Sequence, residues 1–214
     1  MNKQNQKSIA PLCTDVYFSP LINALSEKQI FPKEREEEIT SVVNERVKSE
    51  KYSAWLLLEH ALLSSLGLTM RDAELYKDEN GKWRSSKCEL SISHGGGAVA
   101  VAISHEPVGI DVEPINKSIS QSFAKRFLTP DEYLCYSNVS DGEKSTFLLT
   151  RWCMKEAIFK KSGEKAFLPS HVSSNDSSVL EKRFSLENEE FVLAIACNAP
   201  DSVRFFSVPK DALQ

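Results

Sequence analysis

Three observations predict an α+β fold for this chain. Apolar residues recur at helical spacing in three stretches, at about 34–48, 53–66 and 145–162. Short extended stretches gather in two clusters, at 89–112 and 179–208, instead of alternating one for one with helices. No Gly/Ser/Pro-rich linker separates these blocks, so the 214 residues read as one compact body.

The N-terminus, with Pro11, Pro20 and Pro32, reads as irregular. Ile39, Val42, Val43 and Val47 share one face of a surface helix over 34–48. A second, more apolar helix runs from about Ser53 through Trp55, Leu56, Leu62, Leu63 and Leu66, with Gly67 as its left-handed cap. Asn80-Gly81 marks a turn between two extended stretches. Strands at 89–93, 98–104 and 108–112, separated by Gly95-Gly96-Gly97 and Pro107, read as a small meander. A helix at 122–127 precedes Thr129-Pro130-Asp131-Glu132, which combines a cap, a first-turn proline and a capping-box glutamate. The stretch 145–162, closed by Gly163, is the longest helix, and strands follow at 179–186, 191–196 and 203–208. Trp55 to Gly67 echoes Trp152 to Gly163, which leaves both two similarly built halves and two unrelated apolar helices open.

Twenty-six Lys and Arg against thirty Asp and Glu give a net charge of -4, which argues against nucleic acid or an anionic membrane as partner. No apolar run is long enough to cross a bilayer and the first residues are polar, so a cytoplasmic protein is expected. Five widely spaced cysteines without a C-x-x-C pair read as buried free thiols, not as disulfides or a zinc site.

Three clusters could carry chemistry. In Gly109-Ile110-Asp111-Val112-Glu113-Pro114, residues two apart share a strand face, so Asp111 and Glu113 project together while Ile110 and Val112 enter the core. Paired carboxylates without His or Cys suit Mg²⁺ or Mn²⁺; the plain alternative is an edge strand with its polar side in water. In Trp152-Cys153-Met154-Lys155-Glu156, Glu156 and Lys160 lie one turn apart, able to offer a carboxylate to a cation and an ammonium to a phosphate, or to form an ordinary surface pair. In Ser91-Ile92-Ser93-His94-Gly95-Gly96-Gly97, a strand enters a glycine turn behind Lys82, Arg84 and Lys87. That arrangement suits an anion, or is only a hairpin. A lipase-type oxyanion loop is excluded by the lack of any G-x-S-x-G.

Taken in order, SISHGGG, GIDVEP, FLTPDE and WCMKEAIFKKSG resemble the signature of the 4'-phosphopantetheinyl transferase superfamily, in its larger Sfp-like type. The resemblance implies two similar α+β halves packed as a pseudo-dimer, 1–106 and 107–214, with the metal site in the second half and coenzyme A in the cleft between them. It implies an Mg²⁺-dependent, monomeric enzyme that moves the phosphopantetheine arm of coenzyme A to a serine of an apo acyl or peptidyl carrier protein. Asp111, Glu113 and Glu156 match its metal ligands. Lys82 and His94 match its coenzyme phosphate contacts, with Ser93 beside them, and Lys160 matches the lysine near the pyrophosphate. Lys155 is either a phosphate contact or a support for Glu156, and Glu156 is the expected base. The competing readings are a relative that binds coenzyme A or a carrier without transfer, and an unrelated metal-dependent hydrolase. Two departures bear on the coenzyme. Gly81-Lys82-Trp83 stands where many members have Gly-Lys-Pro, and Ala54-Trp55 precedes Leu56-Leu57 where members commonly place an arginine. Lys48 or Lys51 is the expected substitute for that arginine. Lys125 and Arg126, near Phe123 and Phe127, form either a carrier-docking patch or a solvated face.

Overall fold

The computed structural model describes residues 13–22 and 32–213. Helices α1 (Lys33–Thr40) and α2 (Glu45–Leu66) follow strand β1 (Thr14–Pro20). Then come β2 (Leu75–Lys77), β3 (Trp83–Ser85), β4 (Glu89–Gly95), β5 (Ala98–Ser104) and β6 (Gly109–Pro114). Helices α3 (Ala124–Phe127), α4 (Pro130–Ser137) and α5 (Lys144–Ser162) precede β7 (Val179–Leu186), β8 (Glu189–Ala196) and β9 (Val203–Ser207). A four-stranded sheet has the order β4-β5-β1-β9, a three-stranded sheet the order β6-β8-β7, and β2 pairs with β3 alone.

The α+β class is as the sequence predicts, and the packing forms four layers. Tyr17, Val99, Val101 and Ile103 on one face of the larger sheet bury against α2. Its other face, with Ala98, Ala100 and Ala102, meets Phe191, Leu193 and Ile195 of the smaller sheet. The back of that sheet, Val192, Ala194 and Ala196, carries α5 through Leu149, Cys153 and Ala157. Small side chains on β5 thus face large ones on β8, which lets the two sheets interdigitate at interior density.

Four expectations need correction. The helix read over 34–48 is broken at 41–44, because the Asn44 side chain accepts the backbone N–H groups of Arg46 and Val47 and so starts α2 afresh; Val43 is left 93% exposed. The N-terminal stretch read as irregular holds β1, buried along its whole length between β5 and β9. The meander does not close, since β1 already occupies the free edge of β5 and β6 pairs with β8. Of the five cysteines, all free, Cys135 is exposed and Cys13 half-buried. Strand β9, late in the chain, runs parallel to β1 and forms an edge of the four-stranded sheet. Among the described residues no helix is long and apolar enough to cross a membrane.

Candidate active site

The edges of the two sheets meet at β4 and β6 without a backbone ladder, and two serines join them. Ser91 Oγ accepts the Ile110 N–H at 3.1 Å, and Ser93 Oγ accepts the Val112 N–H at 3.3 Å. Helix α5 lies directly on β6, because a side chain at Gly109 would stand 1.9 Å from the Ala157 carbonyl oxygen. The turn after β4 is equally tight: Gly96, at φ +60°, has no room for a Cβ beside Pro114. The glycines of both motifs therefore serve close packing, and this packing brings β4, β6 and α5 to one point.

At that point Asp111, only 5% exposed, receives Ser93 Oγ–H at 2.8 Å and Lys160 Nζ at 2.7 Å, both on Oδ1. Lys160 also donates to Ser93 Oγ at 3.1 Å and stands 3.9 Å from Glu156. Burial disfavours its charge, but Asp111 and Glu156 outweigh that and raise its pKa. Burial, and then the neighbouring Asp111 charge, push Glu156 up. Burial raises Glu113 as well, against the opposing contact with Lys117. The three carboxylates thus feel one another across a partly dry cluster.

The described residues hold no ready-made group of three metal-ligating side chains, and Lys160 and Lys117 lie on two of the carboxylates. One atom nevertheless asks for a cation: Asp111 Oδ2 is buried with no hydrogen-bond partner. An acceptor-only oxygen in that state, beside two further carboxylates, fits a hard divalent ion such as Mg²⁺.

Next to the cluster lies a cavity of about 240 Å³, lined by Arg35, Lys82, Trp83, Ser91, His94 and Lys160 among others. His94 Nδ1 stands 3.2 Å from Glu50 on α2, which fixes the ring. Lys82 Nζ donates to the Lys160 carbonyl at 2.5 Å, tying β2–β3 to the end of α5. Burial and then Arg84 lower its pKa to about 8.

Lys155 is not brought to this site. Its side chain is fully buried, 2.7 Å from Glu132 and donating to the Pro169 and Val172 carbonyls, so no donor remains for a phosphate. Lys48 pairs with Glu45. Lys51 offers its carbonyl to Arg35. Arg84 and Lys87, expected beside the glycine turn, pair instead with Asp78 and Glu89 and with Glu74. The patch residue Lys125 lies over the Tyr133 ring. Arg35 and Glu50 are the site residues that sequence reasoning missed. Both sit in charged helical runs that read as solvated faces, and no spacing rule singles them out.

With this geometry in view, comparison with known proteins is informative. Residues 107–196, which span β6, α5 and β8, match the family model of the 4'-phosphopantetheinyl transferase superfamily. Over that stretch the chain is similar to the superfamily. It is 27% identical over 138 residues to the 4'-phosphopantetheinyl transferase gsp of Aneurinibacillus migulanus, covering 64% of this chain and 58% of that protein. It is 37% identical over 80 residues to the 4'-phosphopantetheinyl transferase Sfp of Bacillus subtilis, covering 37% and 35%. It is 42% identical over 60 residues to a holo-[acyl-carrier-protein] synthase of Mycoplasma pneumoniae, covering 25% and 50%. The matches therefore span from about a third to just under three-fifths of the length of these relatives.

Proposed function

We propose that the protein transfers the 4'-phosphopantetheine arm of coenzyme A to a serine of an apo acyl or peptidyl carrier protein, leaving adenosine 3',5'-bisphosphate. The observation that carries this reading is the buried, unpartnered Asp111 Oδ2 beside Lys160, at the border of a cavity lined with cationic donors. Asp111, Glu113 and Glu156 would hold Mg²⁺, or Mn²⁺ in its place, and the ion when bound supplies positive charge against the coenzyme pyrophosphate. The relatives named as transferases and holo-carrier synthases support the same reading.

The chain's own groups account for the rest of the reaction. The carrier serine oxygen forms a bond to the phosphorus of the arm, the bond from that phosphorus to the bridging oxygen breaks, and the leaving bisphosphate keeps the electron pair. Lys160, held by Asp111 and Ser93, donates where negative charge grows, already oriented before the reaction starts. His94, braced by Glu50, and Lys82 receive coenzyme phosphate oxygens and fix the in-line geometry. Glu156, one turn before Lys160 and a quarter exposed, takes the serine proton. One chain supplies both walls of the cleft, so the working unit is a monomer, acting in the cytoplasm.

Intact-mass measurement of apo carrier incubated with coenzyme A, Mg²⁺ and this protein tests the reading. The carrier gains one phosphopantetheine unit, and EDTA abolishes the gain. Coenzyme binding without any gain across several carrier types would instead identify a relative that binds and does not transfer.

A further inference from the structure

A serine hydroxyl can donate one hydrogen bond and accept two. Buried Ser93 uses all three with the residues around it. Its Oγ–H donates to Asp111 Oδ1 at 2.8 Å, and Oγ accepts the Val112 N–H at 3.3 Å and Lys160 Nζ at 3.1 Å. No donor is left for a coenzyme phosphate, although His94, the next residue along β4, lines the cavity. The three partners lie on β6 and α5, whereas Ser93 itself is fixed in the β4–β5 ladder opposite Ala100. One hydroxyl therefore ties a rigid strand to both a candidate ligand of the ion and the lysine beside it.

The two oxygens of Asp111 are thereby made unequal. Oδ1 carries Ser93 and Lys160, while Oδ2 is buried with no partner. The Asp111 backbone is already held, by the β6–β8 ladder opposite Ala194 and by Cys153 Sγ–H, which donates to its carbonyl at 3.3 Å. Only the side-chain torsions remain to be set, and of the two groups on Oδ1 the serine is the stiffer. Lys160 reaches the carboxylate along a flexible four-carbon stem and can follow it to another rotamer, whereas Ser93 has a single heavy-atom torsion on a paired strand. Given the function set out above, on which the assignment rests, we propose that Ser93 positions Asp111 and is not a phosphate contact. Its hydroxyl turns the carboxylate so that Oδ2 is the oxygen presented to a divalent ion, and it keeps Lys160 on the other oxygen. Without that hydroxyl Lys160 can settle across both oxygens and occupy the place of the ion.

Ser93→Ala changes no charge, so a change in ion affinity reads geometry. Mn²⁺ binding to the full chain with coenzyme A present, followed by electron paramagnetic resonance, weakens about tenfold in the variant, while calorimetric affinity for coenzyme A without added metal stays within about twofold. In carrier modification kcat falls by about tenfold and KM for coenzyme A is unchanged. Hydrogen exchange at the Val112 amide, which loses its acceptor, speeds up by about tenfold. A tenfold loss of coenzyme affinity with kcat and Mn²⁺ affinity retained would make Ser93 a phosphate contact and overturn the assignment. A folded variant in which all three stay unchanged would overturn it as well. Should Ser93→Ala fail to fold, Ser93→Cys, close in shape and a weaker donor, must show the same split. No transfer to any carrier by the unmodified protein would overturn the transferase reading, and the split between Mn²⁺ and coenzyme affinities would still decide the role of Ser93.

Discussion

Two buried ionic clusters flank the same helix, α5, and they are built in opposite ways. Around Lys155 every group is matched. Glu132 Oε2 accepts Lys155 and the Thr129 N–H, and Oε1 accepts both the N–H and the hydroxyl of Ser174. Burial pushes Glu132 up, but those bonds outweigh it and hold its pKa below the usual range. Around Lys160, five residues further on, Asp111 Oδ2 has no partner, and Glu113 and Glu156 are pushed up in pKa. A satisfied cluster fastens α5 to α4 and the loop at 169–174; an unsatisfied one keeps binding capacity in reserve. Consecutive residues of one motif, Lys155 and Glu156, thus belong to different jobs because they point about 100° apart on the helix.

The sharpest way to break this comparison is to remove the matched lysine. Lys155→Met leaves Glu132 buried without its counter-charge and costs about 3–5 kcal/mol in denaturant unfolding, whereas the double change Lys155→Met with Glu132→Gln recovers most of that loss. If Lys155→Met instead kept full stability and lost coenzyme affinity, Lys155 would belong to the cleft after all. Glu156→Gln sharpens the contrast from the other side. Its charge is disfavoured by burial and by Asp111, so the amide leaves the unfolding free energy unchanged or slightly raised. On the proposed function, in which Glu156 takes the serine proton, carrier modification falls by about 100-fold or more. Stability that fell along with activity would show that Glu156 helps to hold the fold, against the division drawn between the two clusters.

Much of this arrangement was legible before the structure. The alternation in Ile110-Asp111-Val112-Glu113 placed two carboxylates on one face, and the structure buries Ile110 and Val112 while it turns Asp111 toward Lys160. The capping box at Thr129 and Glu132 and the left-handed cap at Gly163 appear as read. Strand β1 was hidden because both its faces are buried, so the period-two signal that marks a half-exposed strand is absent. The partner of Lys155 was hidden because the rotation of α5 on its sheet depends on contacts such as Gly109 with Ala157, which no helical spacing encodes. Arg35 was hidden in a charged run, where one buried guanidinium looks like its solvated neighbours.

The smallest expected effect concerns a group that joins the reactive cluster to the cavity. Lys82 donates to the Lys160 carbonyl, and its pKa of about 8 reflects burial first, then Arg84, with Lys160 adding to the repulsion and Glu89 and Asp78 opposing it. Below that value Lys82 is charged and meets a phosphate as an ammonium. Above it the free protein must take up a proton to do so, and binding then costs more with each further unit. The Lys82 contribution to coenzyme affinity is therefore nearly flat from pH 6 to 7 and falls about fivefold between pH 8 and 9, because a bound anion raises the lysine's pKa. Calorimetry across that range, in buffers of different ionisation enthalpy, shows proton uptake of up to one per coenzyme at the alkaline end. Lys82→Gln flattens the profile and abolishes the uptake. A profile that stayed steep in the variant would place the titrating group elsewhere on the cavity wall and would leave Lys82 as a tie between β3 and α5 only.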